Sequence, residues 1–419
     1  MRFSRQVSHA AWGLALAVLL AAQAYPAGAQ GDDPEEFYGE GSADADEWYH
    51  VIEPGQGPEW QIAPAVYARI AKADGRRSDP ERLDTIIANG PGNWTWEWVS
   101  EGEKLSDRAK SAAAAGDGAL AAKLYLDAAR LFTIASSPHV RSNANAMAAL
   151  AKARKAYRLA QAYIPGTFSV LAIPYEGRTF EAYLHLPQGQ GPFPVVVSSN
   201  GSDVVKEQVG AGLAAELAMR GIAVLAIDMP GLGGSGAYDL TPDSDKLHHA
   251  AIDYLVAHPE LGIDPRRIGA MGISFGGNAA ARLFLRADPR VAGVVAACAP
   301  LNSSFNLPPQ AYDQLPPLTI DGVRDRIGLS PAVPVTELAA ALAGFSIETN
   351  PSGGDDKIAT PLLVLATDAD PVAPLDEVPL LTAHASDADV IVSYEPGHCP
   401  SEYVTASMAA AWFGRILGN

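Results

Sequence analysis

Met271-Gly272-Ile273-Ser274-Phe275-Gly276-Gly277 is the segment from which the rest of the chain is best read. It follows an apolar run, Arg267–Met271, that predicts a strand, and it precedes a helical pattern from Asn278 through Leu285. A G-x-S-x-G pattern is common by chance, and its meaning comes from this strand–turn–helix setting. The turn is so tight that the residues two before and two after the serine must be small, which Gly272 and Gly276 satisfy. Ser274 is then expected at the tip, clear of the sheet, above the positive end of the following helix. A glycine-rich turn with an incidental serine would look the same in isolation, so the remainder of the chain has to decide.

A serine nucleophile needs a base to take its proton and a carboxylate to orient that base. In sheets of this kind the acid comes next along the chain and the histidine last. His398 lies in Tyr394-Glu395-Pro396-Gly397-His398, just after the last predicted strand, where ligand chemistry sits in open parallel sheets. The other histidines fall in the N-terminal segments, in helices or in early strands. For the acid, Thr367-Asp368-Ala369-Asp370-Pro371 offers two carboxylates, and Pro371 and Pro374 favour Asp370 over Asp368.

A developing oxyanion needs two backbone N–H donors. One is expected from Phe275, directly after the serine. The other is expected from Asn200-Gly201-Ser202-Asp203, with Ser202 preferred and Gly201 the alternative. Asp203 can at the same time cap the next helix. The glycine-rich Asp228–Ser235 lacks the Lys-Ser/Thr ending and glycine spacing of phosphate loops, and reads as a pocket floor. No His/Cys cluster suggests a metal, and no cofactor is expected.

Outward from this centre, eight short runs read as strands: 168–173, 180–185, 194–198, 222–227, 267–271, 291–296, 362–366 and 390–394. Several lack in/out alternation, as strands buried on both faces do. With helical stretches between them they predict an α/β domain over 166–419, a mostly parallel sheet with helices on both faces. Residues 300–360 are too long for a plain crossover and are expected to hold an insertion over the sheet's edge. Residues 61–165 show three- and four-residue apolar spacing and predict an all-helical domain of short helices. The second of these opens around Trp94, Trp96 and Trp98, and Gly116-Asp117-Gly118 breaks two of them.

The first 29 residues carry Arg2 and Arg5, an apolar run from Ala10 to Ala22, and small residues at Ala27-Gly28-Ala29. This is the pattern of a secretory signal peptide, so a periplasmic or secreted protein without a stable membrane anchor is expected. Residues 30–60 are acidic and rich in Gly, Pro and Ser, the texture of an arm or linker. The formal net charge of -18 argues against a nucleic-acid partner. The two cysteines, Cys298 and Cys399, are expected as buried free thiols, with a bridge the alternative that an oxidising compartment permits.

From about residue 90 onward the chain resembles the α/β-hydrolases with an N-terminal helical domain. These include the FrsA-like esterases, 2,6-dihydroxypseudooxynicotine hydrolase and fungal hydrolases that shorten polyketides. The resemblance is carried by Trp94–Trp98, Ala121–Ala135, Gly201–Glu207, Asp228-Met229-Pro230-Gly231, the Ser274 turn, Asp370-Pro371 and His398-Cys399. It implies an α/β-hydrolase fold with a helical cap, and Ser274, Asp370 and His398 as nucleophile, acid and base. The implied substrate is a small molecule with an apolar part. Asn200 and Ser202 depart from the usual Gly and Leu, and the N-terminal segments and the insertion after Pro300 are poorly matched. Ester hydrolysis leads; carbon–carbon cleavage beside a ketone needs the same residues, and a non-catalytic ligand-binding protein stands third.

Overall fold

The computed structural model describes residues 94–418, apart from 138, 140, 313–316, 331 and 349–356. The expected signal peptide, acidic arm and first part of the helical region lie outside the described residues. Three helices come first: α1 (Trp94–Ala114), α2 (Gly118–Ala135) and α3 (Ala144–Gln161). They are longer than the short helices expected, at 21, 18 and 18 residues. Alanine-rich composition sustains this length, since Ala has the highest helix propensity. The breaks are chemical: Asp117 caps α2 through Leu120 N, and Asn143 caps α3 through Ala146 N.

Eight strands follow: β1 (Thr167–Tyr175), β2 (Arg178–Leu186), β3 (Phe193–Ser199), β4 (Ala223–Ile227), β5 (Ile263–Ile273), β6 (Val291–Ala297), β7 (Leu362–Thr367) and β8 (Ala388–Ser393). They form one sheet in the order β1-β2-β4-β3-β5-β6-β7-β8. The β1–β2 hairpin is antiparallel and closes through Glu176 and Gly177, both at positive φ, as a two-residue hairpin turn requires. From β4 to β8 every pairing is parallel. Each of the eight expected strands is present.

Strand side chains alternate between two cores. Val195 and Val197 join α5 (Lys246–Ala257) and α6 (Phe275–Leu285) on one face. Val196, Met271 and Val295 join α2, α3, α4 (Lys206–Ala218) and the last helix, α9 (Glu402–Leu417), on the other. The apolar runs read from the sequence follow from this burial on both sides. Phe413 of α9 is fully buried against Gly269, where a Cβ would come within 2.6 Å of the ring. Truncating such a ring typically costs about 3–5 kcal/mol.

The segment between β6 and β7 contains α7 (Pro317–Arg326) and α8 (Val335–Ala343). It lies elsewhere than expected. Both strands are interior, and the segment packs Phe305, Leu338 and Phe345 against Phe275 and Ala279 at the start of α6. An insertion leaving the carboxyl end of an interior strand has the strand-end loops as its nearest apolar surface.

Candidate active site

β5 runs straight into Ser274, which sits at φ 56° and ψ −121°, and α6 begins at the next residue. For a residue with a Cβ this backbone is strained, and such strain is tolerated where surrounding structure fixes it. The fixing is visible. Ser274 N donates to Ala297 O on β6 at 2.9 Å. A Cβ on Gly272 would collide with the Gly276 carbonyl, and one on Gly276 would lie 2.5 Å from Asn200 O. Glycine at these two positions lets the turn close against the loop after β3.

The three residues singled out in the sequence lie together. Ser274 Oγ is 2.8 Å from His398 Nε2. His398 Nδ1 is 2.8 and 2.9 Å from the two oxygens of Asp370. A carboxylate can only accept, so Nδ1 carries the hydrogen and Nε2 faces the serine as an acceptor. Asp370 also accepts from Val372 N, Ala373 N and Cys399 N, at 2.8, 2.9 and 3.1 Å. Its side chain is fully buried and that of His398 is 6% exposed. Asp368 is exposed, and its N–H donates to Ser393 on β8, so it takes no part in the cluster.

His398 sits on the loop after β8, which Glu395 folds by accepting from Ser401 N. The loop is anchored a second time by a disulfide between Cys399 and Cys298, with Cα atoms 5.0 Å apart. This corrects the expectation of two free thiols. Cys298 directly follows β6, and Cys399 is brought beside it by the histidine loop. The Cys298, Cys399 and His398 ligand atoms all lie within 4.8 Å of one another. With the two sulfurs bonded together they offer no thiolate to a metal.

The loop after β3 passes directly over the serine. A Cβ at Gly201 would lie 3.4 Å from Ser274 Cβ and 3.5 Å from its Oγ. Ser202 is buried beside it. Asp203 does not cap the next helix: α4 starts at Lys206 with Val205 as its N-cap and no side-chain capping bond. The Asp203 carbonyl accepts from His139 Nε2 at 3.0 Å, which ties the α2–α3 connection to this loop. Burial and the positive charge of Arg326 hold His139 neutral, its pKa lowered to about 3.

Sequence reading missed a second anchor of this loop. Lys206, wholly buried, is 2.9 Å from Asp228, 3.1 Å from Glu207 and 3.3 Å from Glu181. Burial opposes its charge, but the three carboxylates outweigh it and raise the lysine pKa above its ordinary value. Asp228 also accepts from Lys206 N and Gly234 N. The glycine-rich loop read as a pocket floor thus ties the loop over Ser274 to β4. The one hint was an Asp opening a glycine run, which says nothing about its partner.

A mostly parallel sheet with this strand order, bearing a serine at a strained strand–helix turn and a histidine and acid on later loops, defines an α/β-hydrolase. The chain belongs to the FrsA-like esterase family, whose model ("Esterase FrsA-like") matches residues 40–396. It is 30% identical over 332 residues to the Esterase FrsA of Photobacterium profundum, covering 78% of each chain. It is 34% identical over 314 residues to that of Vibrio cholerae, covering 74% of this chain and 73% of the relative. Among solved structures, 2,6-dihydroxy-pseudo-oxynicotine hydrolase superposes with a TM-score of 0.64 at 22% identity, over 80% of this chain and 92% of the other. AbyA5 gives 0.60 at 23%, over 77% and 88%. At such identities these two likenesses concern the fold.

Proposed function

We propose that the chain hydrolyses a carboxylic ester of a small molecule through an acyl-enzyme on Ser274. The observation that carries this is the unbroken line of hydrogen bonds from Ser274 Oγ through His398 to Asp370. Membership of an esterase family supports the bond type. His398 Nε2 takes the Ser274 proton as Oγ attacks the acyl carbon. The backbone amides of Phe275 and Ser202 receive the oxyanion. His398 then returns the proton to the departing alcohol. In the second half it deprotonates water, which attacks the acyl carbon and releases the acid and Ser274. Asp370 holds Nδ1–H in place and stabilises the imidazolium in both halves.

We further propose that the protein acts outside the cytoplasm. The N-terminal 29 residues have the pattern of a cleaved leader, and a disulfide accords with an oxidising compartment.

The test is labelling with a fluorophosphonate probe, locating the adduct by mass spectrometry, with short- and long-chain p-nitrophenyl esters as substrates. Labelling at Ser274 and turnover lost in Ser274→Ala are expected. A folded protein that takes up no probe at Ser274 sinks the proposal, and labelling without ester turnover moves the bond cleaved from ester to carbon–carbon.

A further inference from the structure

The mechanism above leaves one carboxylate at the site without a task. Asp203 Oδ1 and Ser274 Oγ both border the space a Gly201 Cβ would fill, 3.3 and 3.5 Å from it. Asp203 does not cap α4. No other side chain among the described residues hydrogen-bonds to its carboxylate, which is met only by its own backbone N–H. The residue is half-buried, so its carboxylate is not sealed off from a ligand. Its backbone is held from behind by His139, and the next turn by the Lys206–Asp228 pair, so its position is fixed before any ligand arrives. Burial raises its carboxyl above the ordinary range, against the pull of Arg326 and His398.

A preorganised carboxyl without a side-chain donor is completed by a donor from the ligand. Resting on the esterase reading above, we propose that Asp203 is a specificity residue that hydrogen-bonds a hydroxyl or amine carried by the substrate beside its scissile carbonyl. The substrate class is then a hydroxy- or amino-substituted ester rather than a plain alkyl ester. Arg326, with its guanidinium buried nearby, keeps the region polar on the protein side. An unsubstituted ester leaves Asp203 facing an apolar group, and that mismatch is the source of selection.

The experiment compares matched pairs with the full-length mature protein. On the acyl side these are p-nitrophenyl butyrate and 3-hydroxybutyrate; on the alcohol side, ethyl butyrate and its 2-hydroxyethyl and 2-aminoethyl counterparts. The parent is expected to favour the substituted member of at least one pair by about 10- to 100-fold in kcat/KM, the range of a hydrogen bond to a charged group. Asp203→Ala should bring that ratio to near one, and Asp203→Asn should leave it in between. The ratio within a pair is read, so a general loss of rate does not enter. Fluorophosphonate labelling of Ser274 reports folding, and Asp203→Asn carries the test where the alanine variant fails it. Equal use of both members of every pair by the parent overturns the proposal, as does a ratio unmoved by either substitution. Failure of Ser274 to label in the parent is a separate result; it removes the esterase reading and this proposal with it.

Discussion

Replacing both Cys298 and Cys399 by serine keeps nearly the same side-chain volume and opens a loop spanning 101 residues. In the chain-entropy view, a crosslink of that span stabilises the native state by about 4.7 kcal/mol at 25 °C. A fold of this size loses roughly 0.7 kcal/mol per degree near its midpoint, so the melting temperature should drop by about 7 °C. The bridge does more than restrain the unfolded chain. Cys298 and Cys399 have φ of 40° and 67°, in the left-handed region that side chains avoid. Once the sulfurs part, both residues can relax toward ordinary backbone angles. The residue that moves with Cys399 is His398, whose Nε2 sits 2.8 Å from the serine oxygen. Displacements of an ångström at a reacting centre can cost about 100-fold, so kcat should fall ten- to a hundredfold with KM little changed. Differential scanning calorimetry and steady-state ester hydrolysis read the two effects separately. A double-serine variant that melts within about 1 °C of the parent and turns over at the parental rate would refute the reasoning.

Asp370→Asn should lower kcat by about four orders of magnitude while leaving probe binding measurable, because the amide presents a donor where Nδ1–H needs an acceptor; a loss below tenfold counts against the assignment. Gly272→Ala should abolish soluble folded protein or its activity, since the new Cβ has no room beside the Gly276 carbonyl; full activity in that variant would contradict the turn as described. Asp228→Asn should destabilise by about 3–5 kcal/mol in urea titration, because it leaves the buried Lys206 charge undercompensated. Stability should also fall with acid. Burial lowers the pKa of His139 to about 3 and of His248 to about 4, so between pH 6.5 and 4 the unfolded chain binds protons that the folded one refuses. Each group then removes about 1.4 kcal/mol of stability per pH unit as pH falls through that window, levelling off below its folded pKa. Urea midpoints at pH 6.5 and 4.5 check it, and His248→Gln should flatten the slope.

The interior of the sheet was legible because its strands are buried on both faces, which leaves uninterrupted apolar runs such as Val195–Val197 and Leu362–Ala366 in the sequence. Ser274, Asp370 and His398 could be picked out because each lies on the turn or loop that follows a predicted strand and the fold brings these strand ends together. The choice of Asp370 over Asp368 is a matter of one being enclosed and the other exposed, and the sequence carried it only through neighbouring prolines. The disulfide was not legible, since a separation along the chain says nothing about where two Cβ atoms point. Nor was the Lys206–Asp228 pair, whose members meet only when β4 lies beside β3. Asp203 was misread through a boundary: the helix starts two residues later than its capping role required, which frees the side chain for the site.

The order in which the site's parts occur along the chain carries a consequence for synthesis. The loop over the serine is made first, Ser274 next, then Asp370, and His398 last. A nascent chain stopped anywhere between residues 274 and 398 holds the serine in its turn with no base to activate it. Even one stopped at His398 lacks α9, which packs against α4 and so supports the first-made loop from below. Under the proposed mechanism, hydrolytic activity therefore arises only at the finish of translation and folding.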